Sequence, residues 1–299
     1  MKRVSPPYNL VNDYLEAMAR QLYDYWFVQF DFPDEKGAPY KSSGGKMIWC
    51  DRLKRHIPHG WSVCLIGDIL DKYLATKRYE TDEYLLEGAY PIIDQGDKYI
   101  VGYTDEESAL LYRTPAVVFG DHSTRVKYVD VPFARGADGT QVLYSNQEEV
   151  TPWYLYLCIS NLKIPNPGYS RHFKYLKELP ICLPCRRVSA LFATMVRPVF
   201  KKWSEIIFQN EVIRKQRDYL LPLLMNGQVS VRQLNNHFVE RNRMLSSAFS
   251  KSRMYERRIN PKNREGDGWF PLRRANAAFA GCGSVSVGRI YYWTGIDRN

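Results

Sequence analysis

Cysteine is scarce. The six residues (Cys50, Cys64, Cys158, Cys182, Cys185 and Cys282) among 299 show no regular spacing, which argues against a disulfide framework and fits a reducing compartment. Long apolar runs are missing too: none approaches the roughly 20 residues needed to span a bilayer. The opening "MKRVSPPYNL" lacks the apolar stretch of a signal peptide. The expectation is a soluble, cytoplasmic protein with no membrane partner. No internal long-period repeat is present. Apolar residues make up 45% and charged residues 25%, enough for a real core in one large domain or two modest ones.

Acidic residues are under-represented only at one end. The net charge is +10, but from Arg232 onward there are 13 Lys or Arg against 5 Asp or Glu, leaving 29 against 27 over residues 1–231. The basic excess thus lies in the tail. A nucleic-acid-binding face on the main body has to come from local clustering rather than overall charge.

The pattern along the chain is α+β, a strand-rich globular domain flanked by long coiled-coil-type helices. Residues 1–32 carry a helix in which Val11, Leu15, Met18, Leu22 and Tyr25 alternate at spacings of four and three, the seam of a helix that packs on another. Residues 33–48, rich in Pro, Gly and Ser, read as an exposed linker. Across 49–187, short runs such as "AYPIID", "KYIVGYT" and "AVVFG" alternate with turns, with a short helix around Thr151–Asn161. Residues 188–231 return to helix. Val196, Val199, Trp203, Ile206, Asn210, Ile213, Arg217, Leu220 and Leu224 keep one seam for four heptads, with Pro198 tolerated near the start or as a kink. The alternative is a helix lying on the globular core; the polar Asn210 and Arg217 on the seam favour a coiled coil. Residues 232–299 form a basic tail with neither period, expected to be disordered or atypical.

Catalytic motifs are fragmentary. "SPPY" at residues 5–8 resembles the loop by which amino-methyltransferases hold a flipped base, and "FAGCG" at 279–283 resembles their cofactor loop. Only four residues precede Ser5 and 16 follow Gly283, too few for the strands such loops require. Ordinary helix initiation by Pro is the simpler role for the first. Cys182 and Cys185 have half of a zinc-site spacing with no second pair, and His56 and His59 flank a Pro in a polar loop. Asp121, His122 and Ser123 are adjacent, an awkward geometry for a nucleophile and its base. No catalytic residue, metal or cofactor is expected.

Five segments carry a family resemblance: "LEAMARQLYDYWFVQFDFPDEKGAPYKSSGGKMIW", "IPHGWSVCLIGDIL", "GAYPIIDQGDKYIVGYTD", "AVVFGDHSTRVKYVDVPF" and "KQRDYLLPLLMNGQVSV". In this order they resemble the DNA-specificity subunit of type I restriction–modification systems, over roughly residues 8–231. The resemblance implies a non-catalytic subunit whose target-recognition domain, here 49–187, reads part of a split sequence in double-stranded DNA. The long helices act as a spacer and dock the methylation and restriction subunits. A full subunit has two such domains; this chain resembles a half-length form with one. An adenine methyltransferase and an inactive truncated subunit are the alternatives.

Base reading needs polar side chains on loops, with cations for the phosphates. "IDQGDK" offers Gln95 and Lys98. "GDHSTRVK" offers His122, Ser123, Thr124, Arg125 and Lys127, and "PGYSRHFK" offers Tyr169, Ser170, Arg171, His172 and Lys174. Lys72, Lys77 and Arg78 read as a charged surface or phosphate contacts. Subunit contacts are expected at Leu15, Met18, Leu22, Val199, Trp203, Ile206, Asn210, Ile213 and Leu220. The opening helix is shorter than the closing one, so part of the closing seam is left for a second copy or a methylation subunit. A homodimer would read an interrupted palindrome.

Overall fold

The structure, a computed structural model, describes residues 10–71, 76–165 and 171–228. The motifs at 5–8 and 279–283, Lys72, Tyr169, Ser170 and the tail from Arg232 lie outside the described residues. Among the described residues no helix is long and apolar enough to cross a membrane.

The chain enters through α1 (Leu10–Tyr23), which runs on as a single wider π turn over Asp24–Val28. An antiparallel hairpin follows, β1 (Met47–Cys50) with β2 (Arg55–Pro58), and then β3 (Ser62–Leu65) and α2 (Ile66–Ile69). One sheet takes β4 (Arg78–Tyr79), β5 (Tyr90–Ile93), β6 (Gly102–Thr104), β7 (Leu110–Leu111) and β10 (Phe133–Gly136). Its order is β4-β10-β5-β6, and β7 also pairs β10. A second sheet of order β11-β8-β9 is antiparallel throughout and uses β8 (Ala116–Gly120), β9 (Val126–Val129) and β11 (Thr140–Leu143). Then come α3 (Pro152–Asn161), α4 (His172–Glu178) and β12 (Pro180–Leu183), which returns antiparallel to β3, and the 40-residue α5 (Arg186–Met225).

The expected strands at "AYPIID", "KYIVGYT" and "AVVFG" are present as β5, β6 and β8. The short helix is α3, started by Pro152 and capped by Thr151 Oγ1, which accepts from Tyr154 N at 3.3 Å. The segment expected as a linker is a folded turn. Asp34 accepts from Lys36 N and Ala38 N, Asp31 accepts from Ser42 N and its hydroxyl, and Tyr40 stacks on Phe32 at 4.7 Å. Short polar side chains bonding their neighbours' backbone fix such turns without burial.

The main core lies where α1, the π turn, α3 and α5 meet β8 and β9. Trp26 and Phe27 pack on Phe192 at ring distances of 5.6 and 4.8 Å, while Leu15 and Ala19 share a cleft with Val199, Phe200 and Trp203. The two helices therefore run antiparallel.

The seam of α1 differs from the expected one. Leu15 and Leu22 do pack inward, but Val11, Met18 and Tyr25 face solvent, and Asn12, Ala19, Tyr23 and Trp26 take the buried stripe. Aromatic area decides this. Turning the helix by one residue buries Tyr23, Trp26 and Phe27, whose combined area exceeds that of Val11, Met18 and Tyr25 given up.

In α5, every buried residue lies between Val188 and Ser204. Over that half, the helix lies on the globular core, as the alternative reading had it, and Pro198 sits on an exposed face within an unbroken helix. Further along, Phe208 meets Tyr99 edge-on at 6.3 Å and Lys215 covers the ring of Tyr103 at 3.7 Å, so this part leans on the segment around β6. Among the described residues, the buried seam of α5 ends at Ser204.

Candidate nucleic-acid interface

Three loops converge on one side chain. Gln95, in the turn after β5, donates through Nε2 to the Asp138 carbonyl at 2.7 Å and accepts at Oε1 from His122 N at 3.0 Å. Its own carbonyl accepts from the Ser123 hydroxyl at 2.6 Å. The turns at 94–98, 121–125 and 137–139 are thereby tied together. Gly139, at φ +84°, closes the third turn; a Cβ there would stand 2.6 Å from Gln95 Nε2, so only glycine fits. Gly139 O in turn accepts from Asp121 N at 2.8 Å.

A fourth segment joins through Asp121, which is buried. Its Oδ1 accepts from Phe173 N at 2.8 Å, and its carbonyl accepts from His172 N at 2.8 Å and lies 2.9 Å from His172 Nδ1. This carboxylate caps the first turn of α4, a role suited to its charge. The start of α4 is thus locked beside the β8–β9 loop, and Arg171 and Lys174 stand exposed there. Thr124 sits at φ +55°, a conformation a β-branched residue adopts only under constraint, and its N–H donates to Gly120 O at 2.9 Å.

The result is a rigid platform with cations on its rim. Lys98, Arg125, Arg171 and Lys174 are exposed, as is the His122 imidazole, and Arg78 joins from β4. Arg78 is ion-paired to Asp138 and Arg125 to Asp97; Arg171 lies 3.9 Å from Asp138. The arrangement sets charged side chains around a floor of loop backbone and short polar groups.

Two expected contact residues are turned inward. Lys127 is 7% exposed on β9, and its Nζ donates to the carbonyls of Asp94 (2.7 Å) and Lys98 (2.6 Å) and pairs with the Asp94 carboxylate at 3.7 Å. Burial, offset in part by Asp94, pushes its pKa down to about 8. It is a staple under the 94–98 turn, not a surface cation. His172 is buried and bonded to Asp121 O. The amide of Gln95 bonds backbone at both ends, so it positions loops instead of reaching out to a base. Conversely, Arg78 is central where it had read as one of several surface charges, and Asp138 was missed. The Asp-Gly pair in "GADGT" is a hairpin signal that could have located it.

Of the residues expected at subunit contacts, Trp203 is buried in this chain's own core, and Leu15, Leu22 and Val199 pack against it. Much of their apolar area is spent within the chain. Met18 and Ile213 are exposed, Ile213 at 54%; Ile206, Asn210 and Leu220 are half-buried. Elsewhere, His56 lies against Trp49 in the β1–β2 hairpin, Cys182 is on β12, and Cys185 is the residue before α5. Burial raises the Cys182 pKa to about 12.

No family model matches the chain. The type I restriction enzyme MjaIX specificity subunit of Methanocaldococcus jannaschii is 26% identical over 248 residues, 75% of this chain and 55% of that protein. Among solved structures, the HsdS subunit from Thermoanaerobacter tengcongensis aligns with a TM-score of 0.35 at 13% identity, covering 67% of this chain and 46% of that one. A chain from a structure describing complex assembly and conformational transition of the type I R-M system aligns with a TM-score of 0.38 at 14% identity, covering 72% and 53%. The chain spans about half the length of the curated relative it matches. By sequence, then, three quarters of this chain is similar to a type I restriction-enzyme specificity subunit.

Proposed function

We propose that the chain is a DNA sequence-recognition subunit of a type I restriction–modification complex, acting in the cytoplasm with no catalytic activity of its own. The platform around Gln95 reads one half of a bipartite site in double-stranded DNA, and the long helices dock the methylation and restriction subunits. The observation that carries this reading is the convergence of four chain segments, tied by Gln95 and Asp121, beneath a rim formed by Arg78, Lys98, His122, Arg125, Arg171 and Lys174. Loops held this rigidly lose little freedom on binding, which is what discrimination between base pairs requires. Sequence similarity to a specificity subunit supports the same reading.

Assembly follows from the helices. Ile213, Leu221 and Leu224 on the far half of α5 are exposed, and Val11, Met18 and Tyr25 line the outer face of α1. Pairing of two copies through α5 would present two recognition domains in twofold symmetry.

Arg171 and Lys98 separate base reading from phosphate contact. Arg171→Ala is expected to cost about 1–3 kcal/mol on the cognate duplex and to relax one position of the site, whereas Lys98→Ala weakens all sequences alike and lowers the salt slope by about one. Binding measured on cognate and scrambled duplexes over a salt series decides it; equal losses on every sequence for both variants would remove the base-reading role from Arg171.

A further inference from the structure

The turn between β10 and β11 holds a carboxylate where two arginines from distant segments converge. Asp138 is ion-paired through Oδ1 to Arg78, at the start of β4, and its Oδ2 lies 3.9 Å from Arg171, the residue that opens α4. All three side chains face solvent, with Asp138 62% exposed. The carboxylate is set in place by backbone: Gln95 Nε2 donates to the Asp138 carbonyl, and Gly139 at φ +84° completes the turn.

A backbone phosphate presents the same chemistry to Arg78, two anionic oxygens for one guanidinium group. Asp138 and a DNA phosphodiester therefore compete for Arg78. Resting on the DNA-reading function proposed above, we infer that Asp138 is a built-in competitor for backbone phosphate, which holds down the affinity of the platform for duplex of any sequence. Binding exchanges one anion for another, so Arg78 contributes less to non-specific attraction than a free cation would. A weak, exposed pairing suits that role, because the phosphate has to be able to displace it.

Asp138→Asn keeps the shape of the side chain and leaves the carbonyl that Gln95 holds. The full-length variant is expected to keep its melting temperature, to bind random-sequence duplex about 3- to 10-fold more tightly at low salt, and to show a salt slope steeper by up to about one. Adding Arg78→Gln to Asp138→Asn is expected to cancel most of that gain, since the competition runs through the arginine. Unchanged binding by Asp138→Asn would overturn the inference. A selective loss on the cognate duplex would overturn it as well, and would make Asp138 an acceptor for a base amine. If the wild type and both variants bind no duplex at all, the DNA-reading function falls first and the inference with it.

Discussion

Phe192→Ala is expected to lower the free energy of unfolding by about 3–5 kcal/mol. The side chain is fully buried and meets Phe27 edge-on at 4.8 Å and Trp26 at 5.6 Å, joining α5 to the π turn that ends α1. Truncation removes the ring contacts on both sides and leaves a cavity that the flanking helices cannot close without moving. Phe192→Leu retains most of the volume and is expected to cost about 1 kcal/mol. Denaturant unfolding followed by circular dichroism gives both values. A loss under about 1 kcal/mol for the alanine variant would show that the two helices are not held by this core.

Lys127→Ala is the second large effect, with an expected loss of about 2–4 kcal/mol at neutral pH. It leaves the carbonyls of Asp94 and Lys98 without the donor they share and the Asp94 carboxylate without its cation. The 94–98 turn that carries Gln95 and Lys98 loses its support, so sequence discrimination is expected to fall along with stability. The pH dependence has a definite sign. The folded pKa of about 8 lies below the ordinary 10.5, so between these values the unfolded chain holds the proton more tightly. Stability from this group therefore rises as pH increases from about 8 toward 10.5, by roughly 1–3 kcal/mol, and is lost again as pH falls through 8. Lys127→Met lacks this contribution. The difference in melting temperature between wild type and Lys127→Met, followed from pH 7 to 10, should shift in favour of the wild type; titrating tyrosines common to both cancel. A difference that stays constant over this range would contradict the buried position of the ammonium.

These cases also show what the sequence made legible. β5, β8 and α3 were readable because an apolar run bounded by turn residues leaves few other structures. The length of α5 was readable from its period, but not the point where burial stops. Its three-and-four spacing continues past Ser204, while the core it packs on does not. In α1, a heptad count gave equal weight to Val11, Met18 and Tyr25, whereas the fold favours the faces with Tyr23, Trp26 and Phe27. The loops at 94–98 and 121–125 and the start of α4 were found by their polar composition; the turn at 137–139 was not. Which residues point outward was not legible, since that depends on long-range partners: Lys127 reaches Asp94 and Lys98, and Asp121 accepts from Phe173 N, 52 residues away. The lysine in the apolar run "VKYV" is in hindsight the clue, because a charge inside a buried strand is there to meet a partner.

The most direct test of the account is the methylation pattern of DNA in cells that express this chain together with a type I methylation subunit. The account predicts one interrupted motif that appears only when this chain is present, a palindrome if two copies pair through α5, and a motif that loses definition at one position with Arg171→Ala. Methylation at the same sites without the chain, or no sequence-dependent methylation with it, would contradict the recognition role assigned to the platform around Gln95.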